Sequence, residues 1–172
     1  LAKQGWSVRI HERSPEIREL GTGIYIKNNA IEVLEEFGVF EQLVPQGIRL
    51  ERAQHVDRDG RIMQDRVLAG DSRVHVFSRQ ALIEALRDCA AKAGAEIVTG
   101  EAAASADPAG SLILENGRRL KADLVIAADG ARSKVRDSLG FASGYRALPT
   151  IINRYLIPSR EVAPDAVTRE HW

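Results

Sequence analysis

The sequence predicts an α/β fold in which parallel strands and helices lie beside an antiparallel meander. Residues 7–12 alternate apolar and polar and directly follow a helical end that closes at Gly5, as a strand does in a β-α-β unit. Ser78 precedes the clearest helical pattern of the chain, which extends to Gly94. Residues 123–128 form a continuous apolar run, which is typical of a strand buried on both faces.

The remaining elements of the first half follow from local turn and cap signals. Gly21-Thr22-Gly23 leads into a short apolar strand over 24–26, and Asn29 is expected to cap a helix that ends at Gly38. A second short helix precedes Pro45. The predicted apolar faces of these two helices comprise Ile31, Val33, Leu34, Phe37, Phe40, Leu43 and Val44.

The middle of the chain predicts two strands within 52–65 around an Asp59-Gly60 turn, and another strand over 74–77. The helix capped by Ser78 follows. Its core stripe is predicted from five residues at helical spacing: Leu82, Leu86, Cys89, Ala90 and Ala93. Since Cys89 lies on that stripe, we expect it to be chemically inert.

In the second half, residues 96–99 are predicted as a strand and the Ala-rich stretch 102–109 as a loop. Asn116-Gly117 is a hairpin signal that folds 112–114 back on 119–120. Residues 132–136 are expected to start a further helix. These elements complete the predicted meander.

Composition excludes several classes of protein. The 172 residues include 24 basic and 24 acidic side chains and only 5% aromatics. The sequence therefore lacks the excess of positive charge and the stacking residues that would suggest nucleic acid as a partner. The single cysteine excludes an internal disulfide framework and favours a reducing cytoplasm, and the four histidines lack metal-ligand spacing. No apolar run is long enough to span a membrane. We therefore expect a cytoplasmic protein with a small-molecule partner and no metal.

The ends of the chain predict a fragment. The sequence opens on Leu1 rather than Met, within the last turn of a helix, and stops at Trp172 without a turn or a polar tail. We therefore expect further sequence on both sides. A naturally short protein with an untidy end is the alternative.

Two charged residues are candidates for nucleotide binding. Glu12 ends a strand that follows a helix, the position from which an acidic residue binds a ribose in dinucleotide-binding folds. A solvated acid at a strand end is the alternative. Arg79 lies in the first turn of a helix, where a cation opposes the helix dipole by about 0.3–1 kcal/mol unless an anion such as a phosphate lies nearby. An arginine that reaches a carboxylate elsewhere is the alternative.

Asp129-Gly130 is the third candidate. It follows the apolar run 123–128, and the carboxyl ends of parallel strands are where open α/β sheets bind ligands. Glycine also allows a ligand to approach the backbone closely. An ordinary Asp-Gly turn is the alternative.

Four segments, taken in this order, resemble one known family. They are Glu12-Arg13 after a strand, Gly21-Thr22-Gly23-Ile24 with Asn29-Ala30, the stretch 78–82, and the stretch 122–136 around Asp129-Gly130. Together they resemble the single-component FAD-dependent aromatic monooxygenases of the salicylate hydroxylase and para-hydroxybenzoate hydroxylase type. The resemblance covers nearly all of 1–157.

The resemblance implies the domain organisation. Residues 1–145 would form a partial Rossmann-like FAD-binding domain whose glycine-rich turn lies upstream of Leu1. Residues 146–172 would begin a truncated substrate domain, with a boundary near 145–149 and a second sheet at 151–157.

The resemblance also implies the site and the activity. Glu12 would hold the adenosine ribose, Arg13 would lie beside the adenosine, Arg79 would contact the FAD phosphate and ribityl region, Asp129 and Gly130 would belong to a motif shared by FAD and NAD(P)H, and Tyr25 would lie near flavin and substrate. The implied enzyme uses FAD, with NADH or NADPH and O2, to hydroxylate a small aromatic substrate. We expect this chain to be inactive alone. A non-catalytic truncated remnant and a related flavoprotein, such as a halogenase or a prenyl reductase, are the alternatives.

Overall fold

The structure is a computed structural model that describes residues 1–18, 21–141, 144, 146, 148–150 and 166–171. Contacts divide the chain into two compact units. The first unit comprises Leu1–Ile17 and Ala93–Ile152, and the second comprises Arg18–Lys92 and Asn153–Trp172. No helix among the described residues is long and apolar enough to cross a membrane.

The described ranges contain both strands and helices. The strands are β1 Arg9–Glu12, β2 Gly23–Lys27, β3 Ile48–Leu50, β4 Arg52–Val56, β5 Ile62–Val67, β6 Val74–Ser78, β7 Glu96–Thr99, β8 Ala103–Asp107, β9 Ser111–Leu114, β10 Arg119–Lys121 and β11 Val167–His171. The α-helices are α1 Asn28–Phe37, α2 Phe40–Leu43, α3 Arg79–Lys92 and α4 Lys134–Ser138. Short 3-10 helices span Ala2–Gln4, Val44–Gln46 and Gly70–Ser72.

The first unit combines parallel and antiparallel pairing. β1 and β7 are parallel, with Arg9 opposite Glu96 and Glu12 opposite Thr99. The helical turn before β1 ends at Gly5, whose φ of 87° requires the conformational freedom of glycine. β8, β9 and β10 form the antiparallel sheet, and α4 packs against β8. This architecture confirms the predicted α/β class with a meander.

The apolar run 123–128 is not the buried strand that the sequence predicts. Within the described ranges it has no strand pairing, and Leu124 and Ile126 are 53% and 65% exposed. A strand needs neighbours that satisfy its backbone N–H and C=O groups. The strands described in this unit pair elsewhere, β1 with β7 and the meander with itself. Apolar composition alone therefore does not place the run in a sheet.

The Ala-rich stretch 102–109, predicted as a loop, contains a strand. β8 pairs antiparallel with β9, with Ala106 opposite Leu112 and Asp107 opposite Ser111. Alanine has a low intrinsic preference for strands, but pairing and packing in a sheet override that preference. The meander therefore has one more strand than the hairpin that Asn116-Gly117 predicts.

The second unit is built on the antiparallel sheet β2-β6-β3, with β6 in the centre. Its main apolar core contains nine buried residues contributed by β2, β6, the three helices α1 to α3 and the link between α1 and α2: Ile26, Ile31, Leu34, Val39, Phe40, Leu43, Phe77, Ala81 and Ala85. Successive residues of a strand face opposite sides of the sheet. On β6, Val74 therefore faces the side opposite to Phe77 and belongs to a second cluster with Leu50 and Leu68.

A second sheet in the same unit has the order β11-β4-β5. β4 and β5 are antiparallel around the predicted Asp59-Gly60 turn, where Gly60 has a φ of 81°. β11 runs parallel to β4. The Arg169 Nε donates to Oε1 of the buried Gln54 at 3.0 Å, which links these two strands by a side-chain hydrogen bond.

Two helical predictions are corrected at the level of single residues. Helix α1 begins at Asn28 directly after β2, so Lys27 is the N-cap and Asn29 lies inside the helix. In α3 the buried residues are Ala81 and Ala85, while the predicted stripe residues Leu82, Leu86 and Cys89 are partly buried. Ala81 and Ala85 each precede a predicted stripe residue, so the most buried line of the helix is displaced by one residue from the predicted stripe.

Other helical predictions are confirmed. The Ser78 hydroxyl accepts a hydrogen bond from the Ala81 amide at 3.0 Å, as an N-cap does. Gly38 closes α1 in the left-handed conformation.

The buried face of α1 is narrower than predicted, because Val33 and Phe37 are 45% and 42% exposed. The sheet predicted at 151–157 lies outside the described residues, and the domain division near 145 stays a prediction.

Candidate functional site

Glu12 ends β1, the parallel strand of the first unit. Its Oε1 accepts a hydrogen bond from the Ser14 amide at 2.7 Å, so the turn after the strand orients the carboxylate. Its Oε2 has no hydrogen-bond donor among the residues that the structure describes. Arg13 follows and is exposed. The strand end therefore presents an oriented carboxylate oxygen that can accept hydrogen bonds from a ligand, beside a cation.

Asp129 and Gly130 form a turn before α4. The Asp129 Oδ1 accepts from the Ser133 hydroxyl at 2.5 Å, and its Oδ2 accepts from the Val135 amide at 3.4 Å. Gly130 has a φ of 87°, and a Cβ built there would meet no atom within 4 Å. Glycine is thus required at this position for its backbone conformation, and the space above it is open to a ligand.

The ionised form of Asp129 is favoured by its surroundings. Burial raises the pKa of this carboxyl. Hydrogen bonds from the Ser133 hydroxyl and from backbone amides, including that of Val135, lower the pKa by more than burial raises it. The pKa therefore lies below its usual value. Asp129 is an anion that organises its own turn, and the turn exposes Gly130.

Glu115 forms an ion pair with the start of α4. Its Oε1 accepts from the Lys134 Nζ at 2.5 Å, at the start of the helix after Asp129-Gly130. The pKa of Glu115 is lowered chiefly by that hydrogen bond and also by the charge of Arg13. The Glu115 carboxylate thus ties the turn between β9 and β10 to the start of α4.

Arg79 and Tyr25 belong to the second unit. Arg79 is the first residue of α3, is half-buried and already has an interaction partner within the chain. Tyr25 lies on β2, is 53% exposed, and its hydroxyl is 2.9 Å from the Thr168 Oγ1. Glu12, Arg13, Asp129 and Gly130 belong to the first unit, and the roles of all six residues stay predictions.

The structure adds residues that the sequence did not single out. Nδ1 of His11 lies 2.9 Å from Oε2 of Glu101, and Arg118 forms an ion pair with the same carboxylate. His11 and Glu101 are 90 positions apart. No local pattern signals such a contact. Ser133 had a signal, because a serine immediately before a helical segment is a typical N-cap.

The site offers hydrogen-bond acceptors, cations and an open glycine backbone rather than a nucleophile. Among the described residues no group of three or more His, Cys, Asp or Glu side chains could hold a metal ion. An acidic strand end within an α/β unit is a feature with which such folds bind a nucleotide ribose. Asp129-Gly130 does not follow a strand, because the run 123–128 has no strand pairing within the described ranges. The fold and the acid at the end of β1 are therefore typical of a nucleotide-binding α/β protein.

Comparison with known families makes the assignment specific. The family model described as "FAD binding domain" matches residues 1–155. The chain belongs to this family.

Several relatives support this assignment. The 2-heptyl-3-hydroxy-4(1H)-quinolone synthase of Mycobacteroides abscessus is 38% identical over 144 residues, covering 83% of this chain and 38% of that protein. The 6-hydroxynicotinate 3-monooxygenase of Pseudomonas fluorescens is 24% identical over 178 residues, covering 94% of this chain and 44% of that protein. The chain thus spans about two fifths of the length of these curated relatives.

A solved structure shares the fold. The structure described as the tetrameric form of 2-methyl-3-hydroxypyridine-5-carboxylic acid oxygenase aligns with a TM-score of 0.77 and 35% identity. The alignment covers 81% of this chain and 37% of that one. The α/β architecture described above is therefore that of an FAD-binding monooxygenase fold.

Proposed function

We propose that this chain is the FAD-binding part of a flavin-dependent monooxygenase that uses NADH or NADPH and O2 to hydroxylate a small aromatic substrate. The observation that carries the proposal is the end of β1, where Glu12 presents an oriented carboxylate oxygen in a chain that belongs to the FAD binding domain family. FAD supplies the redox chemistry when bound. The protein supplies binding, orientation and charge.

Each candidate residue has a proposed role in holding the cofactor. Glu12 accepts hydrogen bonds from the adenosine ribose, and Arg13 lies beside the adenosine. Gly130 admits close approach to its backbone, since its φ of 87° and open surroundings fit a ligand there. Arg79 contacts the phosphate and ribityl region, and Tyr25 lies near flavin and substrate.

The names of the relatives suggest a narrower substrate class. One is a quinolone synthase, one a hydroxynicotinate monooxygenase, and one a hydroxypyridine carboxylic acid oxygenase. All three names refer to aromatic rings that contain nitrogen. We infer that the substrate is a nitrogen heteroaromatic, and that the protein works in the cytoplasm. These names favour a monooxygenase over a halogenase or a prenyl reductase.

Substrate-stimulated NAD(P)H oxidation tests the activity. The complete gene product, reconstituted with FAD, is incubated with NADH or NADPH, O2 and one ring compound at a time. We expect quinolones or hydroxypyridine carboxylates to stimulate oxidation and to gain one oxygen by mass spectrometry. Saturated ring analogues are the controls. Equal oxidation with and without the aromatic compounds, and no oxygenated product, would contradict the proposal.

FAD titration tests the site independently of turnover. Glu12→Ala should weaken FAD binding roughly ten- to a hundredfold, because hydrogen bonds to a charged group contribute about 1.5–3 kcal/mol. Glu36→Ala is the matched control, since Glu36 is an exposed carboxylate on α1. If both variants bind FAD as tightly as the wild type, the ribose role of Glu12 is wrong.

A further inference from the structure

In the first unit, Glu101 lies just after β7 and contacts the end of β1. The backbone amide of Glu101 donates to the carbonyl oxygen of Glu12 at 3.0 Å. The side chain of Glu101 reaches the preceding residue, with its Oε2 2.9 Å from the His11 Nδ1. Both side chains are largely buried, at 8% exposure for His11 and 17% for Glu101. Glu101 therefore contacts β1 through its backbone and through its carboxylate.

The second carboxylate oxygen of Glu101 is also occupied. The Arg118 Nη1 pairs with Oε1 of Glu101 from the turn that follows Asn116-Gly117. That turn is itself fixed, because the Arg118 amide donates to the Asn116 Oδ1 at 3.0 Å. An ionised carboxylate only accepts hydrogen bonds, so the His11 Nδ1 is assigned as the donor. Glu101 thus links β1 to the meander and has both oxygens occupied.

The contact lies at the functional end of the strand. Beyond Glu12, the Gly100 amide donates to the Ser14 carbonyl oxygen at 2.9 Å. The backbone on both sides of Glu12 and Arg13 is therefore tied to the segment 100–101. The direction of the Glu12 carboxylate depends on this backbone, since strand ends without such ties fray.

We propose that Glu101 is a positioning residue that orients Glu12 for the ribose of a bound adenine dinucleotide. The inference rests on the proposed function, because it requires Glu12 to be the ribose-binding residue. Glu101 does not touch the ligand. It fixes the strand end whose carboxylate does, and Arg118 and His11 hold the Glu101 carboxylate in place.

The same pair of strands offers a matched control at its opposite end. Arg9 Nε and Glu96 Oε2 form an ion pair at 2.6 Å, between residues that lie opposite each other in β1 and β7. Their side chains are 50% and 57% exposed. Glu96→Ala removes an ion pair from these strands without affecting the end that carries Glu12. It separates a general loss of strand pairing from a loss of positioning.

The test measures FAD affinity by flavin fluorescence in the complete gene product. Glu101→Ala should raise the Kd about tenfold, the lower end of the loss that follows removal of a residue that orients a metal ligand. Glu101→Gln should recover part of the affinity, because its carbonyl oxygen still accepts from His11 while its amide cannot accept from Arg118. Glu96→Ala should leave the Kd unchanged. Circular dichroism checks that each variant folds. If Glu101→Ala does not fold, the FAD affinity of Glu101→Gln decides the test.

A double variant shows whether Glu101 acts through Glu12. If it does, Glu101→Ala should have no further effect in the Glu12→Ala background. If Glu12→Ala weakens binding while both Glu101 variants bind like the wild type, the positioning inference is wrong and the proposed function stands. If Glu12→Ala leaves the Kd unchanged, the ribose role of Glu12 and the inference both fail. Additive effects of the two substitutions would also overturn the inference.

Discussion

The Ser133 hydroxyl donates to Oδ1 of Asp129 and accepts a hydrogen bond from the Arg136 amide at 3.0 Å. One side chain therefore closes the Asp129-Gly130 turn and caps α4 at the same time. Ser133 is only 4% exposed, so neither hydrogen bond has water to replace it. The conformation of the Asp-Gly turn depends on this serine.

Ser133→Ala should destabilise the first unit. Loss of a helix N-cap costs about 0.5–2 kcal/mol, and Asp129 loses its hydroxyl donor as well. Urea denaturation at neutral pH measures the change. Ser105→Ala is the control, since the Ser105 side chain has no hydrogen bond within the part of the chain that the structure describes. Equal midpoints for the two variants would show that the capping hydrogen bonds contribute nothing.

His75 should make the stability of the second unit depend on pH. It is 6% exposed and stacks on Phe77 with ring centroids 5.7 Å apart, and its Nδ1 has no hydrogen-bond partner among the residues that the structure describes. Burial lowers the pKa of His75, and the charges of Arg49 and Arg73 lower it further. Protonation of this ring in the folded state is therefore unfavourable.

The sign of the pH effect follows from linkage. Unfolded histidine has a pKa of about 6.5, and the folded pKa lies lower, so the unfolded chain binds a proton first as the pH falls. Stability is complete above that unfolded value and decreases as the pH falls toward the folded pKa. Within that window the loss is at most about 1.4 kcal/mol per pH unit.

His75→Phe should reduce this pH dependence, because phenylalanine does not titrate. Thermal unfolding is compared between about pH 7.5 and about pH 5 for each protein separately, so a general change in stability does not affect the comparison. Ile31→Val is the control, since it removes a methylene from the same core at a cost of about 0.5–1.5 kcal/mol at either pH. A pH dependence in His75→Phe as large as in the wild type would rule out the role of His75.

Arg79→Ala should weaken FAD binding without unfolding α3. Arg79 is the first residue of the helix, and the buried residues of α3 are Ala81 and Ala85. Loss of a charged partner of phosphate costs about 1.5–3 kcal/mol, or roughly ten- to a hundredfold in Kd. Arg79→Lys should restore only part of the affinity, because an ammonium keeps the charge without the planar fork.

Arg87 provides the control for Arg79. It lies on the same helix, and its Nε donates to the Asp88 Oδ1 at 2.8 Å. Arg87→Ala should bind FAD normally in a fluorescence titration of the complete gene product. If the Arg79 and Arg87 alanine variants bind FAD with equal affinity, Arg79 does not contact the FAD phosphate.

Features of this chain that depend on neighbouring residues could be predicted from its sequence. The Ser78 cap, the glycine that ends α1, and the Asp59-Gly60 and Asn116-Gly117 turns are all present where the sequence predicts them. Each depends on residues within a few positions of one another. For the same reason, the strands β1 and β7 and the helix α3 were predictable as elements.

Only the tertiary structure decided what depends on partners distant in sequence. The apolar run 123–128 has strand composition but no paired neighbour among the described residues, while the Ala-rich β8 is a strand because β9 lies beside it. Likewise, nothing near Glu101 predicts its contact with His11, 90 positions away. Backbone pairing and buried charge contacts join segments that no local pattern connects. By itself, the sequence determined the helix caps, the turns and the acid at the end of β1; the fold decided which strands pair and which distant residue contacts that strand end.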